Sequence, residues 1–476
     1  MVGRSAPRRE TGSSGAAGNN WEENDVSETL DMRKSSVVNV ADFINRAPVS
    51  PFQALVVTLC SLVVLLDGFD TQSISFAAPL LAPHIGVKLA TFGPIFGAAQ
   101  IGQMIGVLLV GPFADRIGRK SMVICAVAVF GVFSLLTVWV ESFSQLTALR
   151  FVTGLGLGAA MPNVFAIISE YAPFRLKATL VAGSAAAFPL GAMIGGALSA
   201  KLVPVYGWQV IFMGAGILPL LLTVWLLVQL PESIRFLVFK GGAESRVARV
   251  LTLIDPSHAP DGSEKFVTGE ISPKGMPVVE LFKNGRAAMT LLLWVPYFTG
   301  LLLLFFMYSW LPLLMTKAGL PIAAAIYATV LFNLGGVAGC LLQGTLIDRY
   351  SEFRVLGAAY LLAALCVAAV GVLPVPSTIL SLAIVLGGIC AIGAQGGANA
   401  LTTHLYPTSI RASGLGWGLG IGRIGSIVGP VMGGILIGMN WDNRQLFLTA
   451  AAPGLIAAVA IVVLARLVSH RRLFVQ

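Results

Sequence analysis

Apolar runs of about 20 residues, the length that carries a helix across the hydrocarbon core of a bilayer, recur twelve times in this chain. They lie near 54–83, 91–112, 121–140, 146–168, 178–203 and 209–230. After a polar stretch, six more lie near 288–315, 322–346, 355–374, 378–402, 413–439 and 446–468. Inside lipid a backbone must satisfy its own hydrogen bonds, so such runs are helices and must bundle. The chain therefore reads as an all-α polytopic membrane protein, with twelve transmembrane helices as two six-helix bundles. Composition agrees. Only 11% of residues are charged, where a soluble domain has roughly a quarter, and the 53 glycines suit helices that approach closely in lipid.

The polar segments divide the chain further. Residues 1–50 are Gly/Ser-rich with both charge signs and read as a disordered cytoplasmic tail. A six-helix bundle over 51–232 and another over 288–468 flank a linker loop at 233–287, and 469–476 form a short C-terminal tail. The linker holds no catalytic set, and "AESRVARVLTLI" within it reads as a short amphipathic helix. No signal peptide is read at the basic start. The five cysteines lie in apolar runs without CxxC spacing, which supports neither disulfides nor a metal site. Nearly all of the 31 Lys and Arg fall on the side of the membrane that holds both termini. Only Lys88, Lys201, Lys317 and Arg444 fall on the other side, and Arg150 and Arg423 lie within spans. That bias places both termini in the cytoplasm, with the protein in the inner (plasma) membrane. The net charge of +9 then follows from topology and lipid contact; with no basic domain, no nucleic-acid partner is expected.

The two halves repeat each other. "GPFADRIGRKSM" (111–122) follows span two and "GTLIDRYSEFRV" (344–355) follows span eight. "SEYAPFRLKAT" (169–179) follows span four and "THLYPTSIRAS" (403–413) follows span ten. Asp115 and Asp348, and Pro173 and Pro407, are separated almost equally, and both matches fall on one side of the membrane. The repeat is thus parallel, about an axis along the membrane normal.

These residues carry a resemblance. "GPFADRIGRK" resembles the loop between spans two and three of the major facilitator superfamily, "LTALRFVTGLGLGAA" (146–160) its fourth-span motif, and "PESIRFL" (231–237) the segment that ends span six. Within the superfamily, "DGFDTQ" in span one with "GIGRIGSIVGP" in span eleven is similar to the aromatic acid:proton symporters. "DRYSEFR" departs from the pattern, since it lacks the Gly-Arg-Lys of the first half. The resemblance implies import of an aromatic carboxylate of the 4-hydroxybenzoate, protocatechuate or benzoate type by proton symport with alternating access. The proton is the only coupling partner implied, no cofactor is expected, and a monomer is the default unit. An exporter, a carrier of another organic acid, or a transporter-like membrane sensor are the alternatives.

The charges inside the spans support the same reading from chemistry. An Asp at a helix centre in lipid costs roughly 2.5–3.5 kcal/mol, yet "LLDGFDTQSISFAAPLL" carries two. Asp67 and Asp70, Arg150 and Arg423 sum to zero. Asp67 and Asp70 are three residues apart and share one helix face, and Arg423 lies near mid-bilayer. Balanced charges of this kind point to a polar cavity in which they pair or bind ligand; ion pairs that only fix packing are the plainer alternative. Asp67, Asp70 and Arg150 are the candidates for proton coupling, and the two aspartates are candidates for the substrate site as well. Arg423, whose planar fork suits a carboxylate, is the first candidate for substrate binding and Arg150 the second. Tyr308, Trp310, Gln395 and Asn399 are candidates for the rest of the site, on spans that face the cavity in such proteins.

A second set falls at the cytoplasmic ends. Asp115, Arg116, Arg119 and Glu170 in the first half, with Asp348, Arg349, His404 and Arg411 in the second, are candidate gating residues. The resemblance implies that Asp115 also faces the start of span eleven, where helix amides favour an anion. Basic residues there could equally be topological anchors. "GLGLG" (154–158), which looks like part of a nucleotide loop, lies inside a span and reads as helix packing, as do "GQMIG" (102–106) and "GAMIG" (191–195).

Overall fold

The computed structural model describes residues 37–258, 260, 264–268 and 278–473. It is nearly all helical, and twelve of its helices are long and apolar enough to span a membrane. Spans one to six are Pro51–His84, Phe92–Ile117, Arg119–Leu136, Phe143–Tyr171, Phe174–Tyr206 and Gln209–Gln229. Spans seven to twelve are Ala287–Lys317, Ile322–Arg349, Glu352–Val372, Thr378–Leu405, Thr408–Gly438 and Asn443–Leu473.

Local sequence sets the helix ends. Ser50 accepts from the Gln53 amide while Gln53 reaches back to the Ser50 amide, and Pro51 fills the first turn. This capping box satisfies donors that a helix start leaves free. The hydroxyls of Ser142 and Ser377 accept from first-turn amides of spans four and ten, without the reciprocal bond.

Glycine carries the packing within each half, and it does so in repeat. Cβ atoms added at Gly102 and Gly106 of span two would lie 2.1 and 2.3 Å from the carbonyl oxygens of Phe151 and Leu155 in span four. Gly335 and Gly339 of span eight meet Val385 and Ile389 of span ten in the same fashion. Gly191 of span five abuts Leu65 of span one, and Gly425 of span eleven abuts Phe298 of span seven. Spans two and four thus correspond to eight and ten, and one and five to seven and eleven. The small-residue motifs pack backbone on backbone, the arrangement that drives association where lipid removes the hydrophobic force.

The apolar core is divided unevenly. At the end where span one finishes, one cluster joins both halves and includes Phe76, Phe92, Phe212, Phe306, Trp310 and Phe447. At the opposite end, where span one begins, each half has a core of its own. The halves are therefore sealed together at the far end and part at the end that bears the N-terminal segment, called the tail end below. Span two lies on span eleven at the seal, where a Cβ on Gly93 would sit 3.0 Å from the Gly434 Cα.

One expectation is corrected here. Residues 37–50 are not disordered, whereas residues 1–36 lie outside the described residues. Val37–Asn39 pairs in parallel with Lys265–Val267 of the linker, and Val40–Arg46 is a helix with Asn39 at its cap. Val40, Ile44 and Ala47 bury against Val247, Leu251 and Ile254 of the linker helix Glu244–Ile254. That apolar spacing supplies the burial that orders the segment. The minute parallel sheet is the only departure from an all-α chain among the described residues.

Candidate functional site

Span one brings its two carboxylates to the middle of the molecule, both fully buried. Three residues of separation turn them toward one face but give them different neighbours. Asp70 looks into its own half. Its Oδ1 accepts a short hydrogen bond from Ser134 of span three, and its Oδ2 lies 3.6 Å from Arg150 Nη1 of span four. Arg150 is held in turn. Its Nη2 donates to Ser134 Oγ at 3.2 Å and to Thr137 Oγ1 at 2.9 Å. The Phe212 ring lies beneath the guanidinium, 5.1 Å away. A buried charge needs this much compensation, since an unpaired one costs several kcal/mol.

Asp67 looks toward the other half. Thr71, one turn on, donates to its Oδ1 at 3.0 Å, while Oδ2 is buried with no hydrogen-bond partner. The cation that it faces electrostatically is Arg423 of span eleven. Arg423 is half-buried, and its Nη1 donates across the interface to Gln103 Oε1 of span two at 2.5 Å. Asp70 and Arg150 thus form an ion pair inside the first half, while Asp67 and Arg423 act on each other only electrostatically across the interface. Ser134, Thr137, Thr71 and Gln103 complete them, and none of these four stood out in the sequence. Gln103 left only a faint signal, an amide one turn from another amide (Gln100) in an apolar run.

The remaining candidates are dispersed. Tyr308 is buried among the rings of Phe188, Phe305 and Phe332. Trp310 spends its indole N–H on the Pro430 carbonyl, at 3.0 Å, and sets its ring edge-on to Phe96. That puts Trp310 in the far-end seal, about 10 Å along span eleven from Arg423 at the standard helical rise. Asn399 accepts from the Tyr297 hydroxyl at 2.9 Å. The Gln395 amide nitrogen is buried without a partner.

At the tail end Arg119 and Glu170 form a close ion pair, and Ser233 donates to the other Glu170 oxygen at 2.6 Å. Glu232 accepts from the Lys120 amide at 3.0 Å, at the start of span three. In the second half His404 meets Glu352, the Arg349 guanidinium lies over the Tyr350 ring, and Arg411 Nε reaches the Tyr406 carbonyl at 3.5 Å. Each of these contacts stays within one half. Arg116 and Asp348 are exposed, and the side chain of Asp115 lies outside the described residues.

A model described as Major Facilitator Superfamily matches residues 60–417. The chain belongs to that superfamily. Within it, the facilitator groups with the aromatic-acid transporters. It is 42% identical over 434 residues to the 4-hydroxybenzoate transporter PcaK of Pseudomonas aeruginosa, covering 91% of this chain and 97% of that protein. It is 38% identical over 424 residues to the gallate transporter of Pseudomonas putida, covering 89% of this chain and 94% of that one. Among solved structures, a bacterial homolog of the human lysosomal transporter Spinster, in an inward-facing and occupied conformation, matches with a TM-score of 0.69. That match covers 88% of this chain and 98% of the other at 15% identity, and it speaks to the fold. Membership makes this chain a multi-pass membrane transporter and not an enzyme.

Proposed function

We propose that this facilitator imports an aromatic carboxylate together with protons by alternating access. It would sit in the inner membrane with the tail end in the cytoplasm, as the basic residues favour. The state described is then the inward-facing one, and a single chain holds the whole site. The observation that carries the reading is the split of span one's carboxylates: Asp70 toward Arg150 of its own half, Asp67 toward Arg423 of the other.

Arg423 is the substrate arginine in this scheme. Its fork takes a carboxylate through two parallel hydrogen bonds, and the substrate's ring lies against apolar and aromatic walls. A carboxylate arriving there takes the cation that faces Asp67. Asp67 is left buried without a counter-charge, and binding a proton restores neutrality. Substrate and proton are thereby loaded together. The two aspartates act as one proton-binding unit. Energetics favour the coupling, because an anion entering against an inside-negative potential costs about 2.3 kcal/mol per 100 mV, and one proton cancels that cost. The names of the relatives support an aromatic acid of the 4-hydroxybenzoate or gallate type as the cargo.

Reconstitution in proteoliposomes tests this. Labelled 4-hydroxybenzoate, protocatechuate or gallate should accumulate under an inward proton gradient. Asp67→Asn and Asp70→Asn should abolish accumulation, while at least one of them still exchanges substrate at equal pH. Arg423→Ala should abolish binding, and Arg423→Lys should keep only a small part of it. Gradient-driven accumulation that persists in both Asn variants would make the pair structural.

A further inference from the structure

Gln103 has no role in anything above beyond its contact with Arg423, yet its placement is built with care. Its backbone is clamped between two glycines of span four. A Cβ on Gly158 would come 2.0 Å from the Gln103 carbonyl oxygen, and one on Gly154 would come 3.0 Å from its amide nitrogen. These are the outer glycines of "GLGLG", whose meaning thereby becomes local: they let span two approach closely enough to fix where the Gln103 side chain starts. That side chain is 3% exposed. It lines a cavity of about 20 Å³ that also touches Asp70, Arg150 and Gln100. A cavity of that size takes a water and no more, so substrate cannot sit between Gln103 and the Asp70–Arg150 couple. The Gln103 amide oxygen turns to Arg423.

The choice of acceptor is informative. Arg423 crosses the interface to a neutral amide oxygen 2.5 Å away, while Asp67 keeps a buried oxygen with no hydrogen-bond partner. A hydrogen bond with a charged donor is about twice as strong as a neutral one, and a carboxylate acceptor adds a second, parallel bond and a charge attraction that an amide oxygen lacks. A neutral holder can therefore orient a guanidinium and still yield it to an incoming carboxylate. A charged holder would not yield.

We infer that Gln103 keeps the substrate's place on Arg423: its amide oxygen occupies the carboxylate seat and is displaced by substrate. This rests on the reading that Arg423 binds the substrate carboxylate. The exchange is one of hydrogen bonds alone. The Gln103 carbonyl gives up the guanidinium N–H, and the substrate oxygen accepts it.

The test compares near-isosteric replacements of opposite character in the purified full chain, with 4-hydroxybenzoate as probe and melting temperature measured alongside. Gln103→Glu puts a lasting anion in the seat and should weaken binding by more than about tenfold. Gln103→Leu empties the seat and should leave binding equal or tighter, by up to about tenfold for the loss of one competing hydrogen bond. A residue that merely packs would weaken binding in both variants. If either fails to fold, Gln103→Met takes the place of Leu and Gln103→Asn, with its shorter amide, gives the intermediate case. Affinity that moves in the same direction in both variants, or in neither, overturns the proposal provided Arg423→Ala abolishes binding. If Arg423→Ala still binds the probe, the assignment of Arg423 fails, and Gln103 fails with it as the holder of that seat.

Discussion

The loops after spans two and eight descend from one repeat but are anchored in different ways. In the first, Gly118 adopts φ 93° and ψ 155°, a backbone region open essentially to glycine alone. The turn delivers the Lys120 amide to Glu232, and Ser233 beside it ties Glu170, which pairs with Arg119. Sequence motifs from three places, the 111–122 loop, the end of span four and "PESIRFL", are one interlocked object. In the second loop, Ser351 stands where Gly118 would be, with an ordinary φ of −70° and no side-chain cap bond. Its carboxylate, Glu352, meets His404 alone among the described residues, and the His404 side chain is 62% exposed. A repeat reproduces helix packing faithfully because backbone contacts enforce it. It does not reproduce charge networks, which need several side chains at once.

The widest gap between the two loops should appear on substituting the turn residue. Gly118→Ala should destabilise the protein by about 1–3 kcal/mol from backbone strain alone. The added carbon would also lie 2.3 Å from a Glu232 oxygen. Ser351→Ala should stay within about 0.5 kcal/mol. Thermal melts in one detergent measure both, and equal losses would erase the asymmetry.

The ion pairs come next. Arg119→Ala leaves Glu170, whose side chain is 4% exposed, to the weaker attraction of Arg235 and should cost about 2–3 kcal/mol. Its counterpart His404→Ala removes an exposed partner and should cost less than about 1 kcal/mol. A larger effect at His404 than at Arg119 would transfer the anchoring role to the second half.

The smallest expected difference is conformational. A Cβ at Gly416 of span eleven meets nothing within 4 Å, so Gly416→Cys supplies a label site near the tail end. If Asp115 helps to close that end, Asp115→Asn should raise labelling of this cysteine severalfold without lowering the melting temperature. Asp348→Asn should raise it less, because its loop lacks the Gly-Arg-Lys segment. Unchanged labelling in Asp115→Asn with transport lost would assign Asp115 another task.

Much of this was legible beforehand, for identifiable reasons. Span length is fixed by bilayer thickness and small-residue spacing by helix geometry, so the twelve helices and the Gly102, Gly106 and Gly191 contacts could be read directly. The four in-span charges announced themselves by their cost in lipid. What could not be read was the partition of those charges. Asp67 and Asp70 differ by one turn, and which arginine each faces depends on how the two halves are set together. Neutral residues that finish the couples, such as Ser134 and Gln103, carry no penalty in an apolar run and so no signal. The ordered segment at 37–50 was hidden differently. Val40, Ile44 and Ala47 are too few to mark a helix until the linker, some two hundred residues later, supplies the surface they bury against.

The far-end seal has a mechanical meaning. One approach in it, Gly93 on Gly434, is backbone against backbone, while the Phe96 ring meets Trp310 and the Phe188 ring meets Tyr308 across the joint. The one directional fastening described between the halves in that region is the buried pair Gln72 and Asn333, which exchange hydrogen bonds of 3.2 and 3.0 Å through their amides. Parting this seam means breaking the amide exchange and separating the ring contacts together. Such a joint is a latch set in a fitted door, and both must give if the far end is to open.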